Sequence, residues 1–273
     1  MALSRRVTDA WWLSALPMLA FFLLPVVVLF FQTTPAKVLA SLAMPQVYQA
    51  LAVSLKTTLV SLALMLLLGT PVAFLLGRYK FRFKNLVETL VDLPTLLPPS
   101  VAGLALLLAF GRNGPLGSIL ARWGITLAFT PAAVIMAQIF IASPYYIRAA
   151  SVGFGNIDQE TIQSAELDGA GGWEVFRYIV LPLAQYALIS GGLMSWARAL
   201  GEFGATILFA GNFIGRTQTM PLAIYLGFES NLDVALTLSV ILVIISCASL
   251  LLIRLIAGKV SATAESTEVR KSR

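Results

Sequence analysis

Apolar residues in this chain gather into long runs instead of recurring at every second or every third to fourth position, and short polar stretches separate the runs. Six runs stand out, at about 11–31, 53–77, 86–110, 131–150, 184–210 and 233–257. Crossing the ~30 Å hydrocarbon layer of a bilayer takes about 20 helical residues, which each run supplies. The pattern predicts an all-α polytopic membrane protein with six transmembrane helices. The third run carries Pro94, Pro98 and Pro99, so its helix must kink or unwind, and a bilayer tolerates that only against protein or a water-filled cavity.

Composition agrees. Of the 273 residues 58% are hydrophobic and 12% charged, against roughly a quarter charged in a soluble domain. The net charge of +6 sits at the edges of the runs. With alternating spans, thirteen basic residues share one side: Arg5, Arg6, Arg78, Lys80, Arg82, Lys84, Arg148, Arg177, Arg254, Lys259, Arg270, Lys271 and Arg273. The other side holds four, Lys37, Arg112, Arg122 and Arg216. This positive-inside bias predicts a cytoplasmic N-terminus (1–10), cytoplasmic loops at 78–85 and 151–183, and a cytoplasmic tail at 258–273, and it explains the basic balance without a nucleic-acid partner. The tail is polar and expected to be disordered, with no room for a soluble regulatory domain. Arg5 and Arg6 precede a run too long for a signal-peptide core, so the first run reads as a retained span. There is no histidine, and Cys247 is alone, which excludes a His- or Cys-based metal site, an intrachain disulfide and a histidine proton relay.

Between the fourth and fifth runs lies a polar island, Gln163 to Pro182, with Glu166, Asp168, Glu174 and Arg177. Asn156, with Gln159 three residues on, is expected to cap a short helix that runs to Asp168 and stops at Gly169. A second helix is expected from about Trp173 to just before Pro182. On the first helix Ile162, Ala165 and Gly169 share one side, with Glu166 beside them, a surface small enough to let a partner approach closely. A hairpin held by its own contacts is the bland alternative.

The spacing Q-S-A-x-x-x-G, nine residues, then I-x-L-P resembles the cytoplasmic EAA loop of ABC importer permeases. It falls on Gln163, Ser164, Ala165, Gly169, Ile179, Leu181 and Pro182, with glutamine in place of the motif's glutamate and serine in place of its first alanine. The likeness spans about 50–257. VDLPTLLPPSVAG at 91–103, GITLAFT at 124–130, ARALGEFGATILFAGN at 197–212 and GRTQTMPLAIY at 215–225 are similar to permeases for molybdate, tungstate and sulfate, and the last stretch is closer to the molybdate ones. The resemblance implies a type I importer permease of a prokaryotic plasma (inner) membrane. It implies two ABC ATPase subunits docking at the 151–183 loop, where they bind ATP and Mg, and a periplasmic or extracellular oxyanion-binding protein on the opposite side. Pro94, Pro98 and Pro99 can shape a static kink or line the pore, and the resemblance favours pore lining.

In the fifth run Ser195, Arg198, Glu202 and Thr206 form a polar stripe at helical spacing. Charges at mid-membrane depth cost at least ~2.5 kcal/mol each and face a bundle interior or a water path. Two readings stand level: an ion pair that locks helix packing, or a charge pair beside the translocation path that helps a dianion through. Lys56 reads as a snorkelling side chain. The segments 111–130 and 211–232 are long enough to meet a soluble partner, with Arg112 and Arg216 the charges to test.

No G-x-x-x-x-G-K-[ST] loop is present, so the chain is expected to be no enzyme and to draw energy from a separate ATPase. Six spans enclose too little volume for a path, which predicts a homodimer with the path on its two-fold axis. The competing class is a carrier driven by ion gradients. Its signature would be several intramembrane carboxylates or an inverted repeat, and the runs show one central glutamate and no repeat.

Overall fold

The structure, a computed structural model, describes residues 2–271. Those residues form thirteen α-helices: α1 (Ala2–Phe31), α2 (Pro35–Leu42), α3 (Pro45–Arg78), α4 (Lys84–Leu96), α5 (Pro99–Phe110), α6 (Pro115–Arg122), α7 (Pro131–Gly155), α8 (Gln159–Leu167), α9 (Gly172–Val175), α10 (Leu181–Leu200), α11 (Gly204–Ala210), α12 (Met220–Ser230) and α13 (Leu232–Lys271). Proline occupies the first position of α2, α3, α5, α6 and α7, where its missing N–H is one that a helix start leaves unused and its fixed φ suits the first turn.

Five helical stretches are long and apolar enough to cross a bilayer alone, and the bent pair α4–α5 brings the number to six when it is counted as one broken span. The third run is not one kinked helix: α4 and α5 meet at 114°. Pro98 disfavours helical torsions at Leu97, which is extended (φ −74°, ψ 135°), and Pro99 does the same to Pro98 (φ −54°, ψ 133°). Pro94 stays inside α4 and is buried.

The centre is the trio α3, α7 and α10. Phe74 of α3 meets Phe154 of α7 and Phe176 edge-on, with ring centroids 5.4 and 5.2 Å apart. Buried Tyr146, Ala150, Val180 and Ala184 continue that core. Arg148 on α7 grips Asp92 on α4, with Nε donating at 2.7 Å and Nη2 donating to the second carboxylate oxygen, and this ion pair ties the bent third span to the trio. By contrast α1 buries none of its apolar window and touches α13, as a helix facing lipid or another chain does.

Two expectations need correction and a third is narrowed. The segment 211–232, long enough to meet a soluble partner, is folded onto the bundle over part of its length. Thr217 to Met220, Leu222 and Ala223 are buried, and α12 packs against α13 and α3. Ser54 Oγ of α3 accepts the Met220 N–H at 2.7 Å, satisfying a donor that the helix start leaves free. The fifth run divides, since α10 ends at Leu200 and α11 begins at Gly204. The tail after Gly258 is helical as far as Lys271, because its Ala, Glu, Lys and Arg residues favour helix and no proline or further glycine interrupts them.

Both partners of the Arg148–Asp92 pair are partly exposed, so its worth is about 1 kcal/mol. A double-mutant cycle of Arg148→Met and Asp92→Asn, read by thermal unfolding in detergent, is expected to return a coupling of that size. Strict additivity would show that the pair does not tether α4.

Candidate coupling surface and intramembrane polar cluster

The island folds as a short helical hairpin on the basic end of the trio. Asn156 does not cap its first helix. It adopts helical torsions (φ −82°, ψ −2°) and closes α7, its N–H donating to Val152 O at 3.1 Å. Asp158, extended at ψ 132°, occupies the N-cap of α8, and its side chain makes no capping bond. The Gln159 side chain is engaged elsewhere: Arg78, the last residue of α3, donates to its Oε1 through Nη2. The same guanidinium donates to Ile157 O at 2.6 Å and Phe154 O at 3.5 Å. One arginine therefore holds the end of α3, the end of α7 and the start of α8 together. The sequence reading gave Arg78 only a topological role, since nothing local in RYKFRFK reveals a partner some eighty residues away.

Gly169 takes the left-handed conformation expected of it, with φ +92°. Its N–H donates to Glu166 O at 3.1 Å and the Ala170 N–H reaches back to Ala165 O at 3.0 Å, the paired bonds of a glycine-terminated helix end. The Gly171 N–H then donates to Glu174 Oε2 at 2.8 Å and starts α9.

Which face of α8 looks outward differs from expectation. Ile162 is only 8% exposed and packs with Ala165 into the core beneath. That side is therefore an inward anchor, because an apolar stripe on a surface helix buries itself. Gln163, Ser164, Glu166 and Gly169 are exposed, and Leu167 stands 88% exposed. Ser164 Oγ is turned back to Glu160 O at 2.8 Å. Glu166 lines a cleft of about 420 Å³ together with Arg78, Gln159 and Phe176.

The second helix does not end before Pro182. Residues Phe176–Val180 form a π-helical turn that carries α9 directly into α10, and the Leu181 N–H reaches Phe176 O. A wide turn of this kind accommodates the donor that Pro182 lacks without ending the helix. Ile179 and Leu181 are half-buried at this junction, and Pro182 is exposed.

In the fifth span, Arg198 Nη1 and Glu202 Oε2 are 2.9 Å apart. Glu202 is 1% exposed and uses Oε1 to accept the Ala205 N–H at 2.8 Å, which caps α11 across the break. Arg198 remains 31% exposed. The stripe is thus not one helical face: Ser195 and Arg198 lie on α10, Glu202 in the break and Thr206 on α11. Ser195 Oγ donates to Ala142 O of α7 at 2.7 Å, and Thr206 Oγ1 is buried with no hydrogen-bond partner among the described residues.

The two broken spans meet at their breaks. A Cβ at Gly204 would stand 2.7 Å from Pro99 Cβ, so the start of α11 lies directly on the start of α5. Pro98 and Pro99 are brought beside the Glu202 break, while Pro94, within α4, lines an apolar cavity with Leu106 and Met136. A further polar group was missed. Gln138 of α7, buried in an apolar run, donates through Nε2 to Thr57 Oγ1 at 3.2 Å, and its Oε1 accepts from Ser61 Oγ at 2.8 Å. A lone glutamine in a span is a signal that the sequence reading did not weigh.

Replacing Arg78 by alanine is expected to raise amide exchange over 157–168 about tenfold in the intact complex, because the start of α8 loses its tether. Unchanged exchange would assign the hairpin's order to its own contacts. For the buried pair, Arg198→Leu is expected to cost ~3–5 kcal/mol by stranding the Glu202 carboxylate. Adding Glu202→Gln should restore assembly, since the amide oxygen still accepts from Ala205. Uptake that returns together with assembly marks the pair as structural, and uptake that stays lost marks Arg198 as part of the path.

A family model described as the binding-protein-dependent transport system inner membrane component matches residues 69–261. The molybdenum transport system permease protein ModB of Mycobacterium tuberculosis is 38% identical over 237 residues, 86% of this chain and 89% of that protein. The sulfate transport system permease protein CysW of Escherichia coli K12 is 34% identical over 222 residues, 79% of this chain and 76% of that one. Among solved structures, a bacterial ABC transporter involved in the import of the acidic polysaccharide alginate superposes with a TM-score of 0.66 at 17% identity, covering 93% of this chain and 99% of its own, a likeness of fold alone. The arrangement of α3, α7 and α10 with a hairpin at their basic end is therefore that of an ABC importer permease. With most of its length inside the matching family model, the chain belongs to the binding-protein-dependent transport system inner membrane components.

Proposed function

We propose that this chain is the membrane-spanning subunit of an ATP-driven importer for a tetrahedral oxyanion, molybdate or the similar tungstate. The observation that carries the reading is its 38% identity to a molybdenum permease over 86% of its length. Sulfate is the second reading, favoured by 34% identity to a sulfate permease over 79%. The chain is itself no enzyme. ATP and Mg bind to a pair of separate ATPase subunits, and a secreted binding protein delivers the ion from the other side.

The ATPases dock on the cytoplasmic hairpin, against the exposed Gln163, Ser164, Glu166 and Leu167. The hairpin is joined to the bundle in three ways: directly to α7, through Arg78 to α3, and through the π turn to α10. A displacement of α8 therefore moves the three central helices together, as a rigid body tilts. Two copies related by a two-fold axis would convert that tilt into alternating access between them. Gln163 meets its ATPase by neutral hydrogen bonding, since an amide lacks the charge assistance of a carboxylate.

The test is uptake into vesicles holding the permease, its ATPase and the loaded binding protein. ATP-dependent accumulation of labelled molybdate above that of sulfate is the expected result. Preference for sulfate would select the second reading. Accumulation on an ion gradient, with neither ATP nor the ATPase, would make the chain an autonomous carrier.

A further inference from the structure

We propose that Lys56 and Arg216 form an anion seat at the mouth of the permease opposite the coupling hairpin, and that it receives the oxyanion in transit. The two residues are far apart in sequence, yet both line one cavity of about 260 Å³ with Tyr48, Gln49, Thr57 and Gly215. At ~30 Å³ per water, that space holds a tetrahedral oxyanion with part of its hydration shell.

Depth, charge and connection support the assignment. Lys56 precedes Arg78 by 22 residues of one unbroken helix, a rise of about 33 Å, close to the full hydrocarbon thickness. With Arg78 at one membrane surface, Lys56 lies at the other. Arg216 comes to it from the turn between α11 and α12, and that turn lies directly on α3: a Cβ at Gly215 would stand 3.1 Å from Gln49 Oε1. Among the described residues neither cation has an ion-pair partner, and no acidic residue lines the cavity. Two cations lining one recess without an acidic residue give it a positive lining that an anion complements. The recess also opens onto Thr57, the first member of the buried row Thr57, Gln138 and Ser61 that runs inward between α3 and α7.

The seat rests on the oxyanion reading above and adds a site within this subunit to it. A lipid phosphate presents the same chemistry as a free oxyanion, so the source is decided by the vesicle. The intact complex is reconstituted in pure phosphatidylcholine and, separately, with added phosphatidylglycerol, and labelled molybdate uptake is measured at saturating binding protein. Binding-protein affinity for the complex is measured alongside.

Lys56→Gln and Arg216→Gln are each expected to cut uptake about tenfold in both vesicle types, as loss of one charge-assisted hydrogen bond implies. Lys56→Arg should restore it, which separates lost charge from misfolding. Affinity for the binding protein should stay within about twofold of the unsubstituted complex. A parallel loss of that affinity would show that the cations grip the binding protein and would overturn the seat. A defect confined to phosphatidylglycerol vesicles would make a lipid headgroup the occupant, with the same consequence. Equal uptake by variants and unsubstituted complex rejects the seat alone, whereas an unsubstituted complex that takes up no molybdate, tungstate or sulfate rejects the oxyanion reading itself.

Discussion

Hydrocarbon offers no hydrogen-bond partner, so each interruption of a helix within these spans has to be answered by another part of the chain. That constraint organises the bundle. The bend at Leu97 and Pro98 ends where α11 begins, and Pro99 packs on Gly204. The break after Leu200 is closed by the Glu202 carboxylate, which caps Ala205 on one oxygen and holds Arg198 on the other. The π turn at Phe176–Val180 absorbs Pro182 without ending its helix. At the breaks near Pro99 and Glu202 irregular backbone thus meets protein on one side at least, where Gly204 packs on Pro99 and Glu202 caps Ala205.

The same economy shapes the α8–α9 hairpin. A nine-residue helix has little stability of its own. Here α8 is held by an apolar anchor at Ile162, a glycine-terminated end at Gly169 and the Arg78 clamp on its first turn. The Ile162 anchor leads to the core between the central helices and the Arg78 clamp to α3 and α7, while the Gly169 end closes α8 on its own carbonyls. Force applied to the outer face of α8 is therefore shared among α3, α7 and α10, and α4 follows α7 through Arg148 and Asp92.

Polar side chains within the spans divide by what they touch. Ser54, Thr58, Ser61, Gln138 and Ser195 are spent on backbone or on each other, joining helices across seams that apolar packing alone would leave free to slide. Glu202 belongs with them. Arg198 stays one-third exposed beside its buried partner, and Lys56 and Arg216 line a recess that holds no acidic residue.

Much of this was legible in the chain before any coordinates. Run length marked the candidate spans, because bilayer thickness sets a minimum that composition either meets or misses. Gly169 was readable as a helix end because one residue type tolerates its torsion, and the 163–182 spacing gave the resemblance that the family match supports. Local signals failed where a neighbour outbid them. Asn156 closes α7 instead of opening α8, Ile162 faces inward, the polar stripe of the fifth run breaks at Gly201, and 211–232 folds back against α3. What the sequence determined by itself was what depends on one segment and its solvent: the apolar spans, the proline break of the third and the glycine end of α8. What only the tertiary structure decided was which breaks meet, where Arg78 points and that Lys56 shares a recess with Arg216, since such pairings between residues far apart in the chain are set by packing.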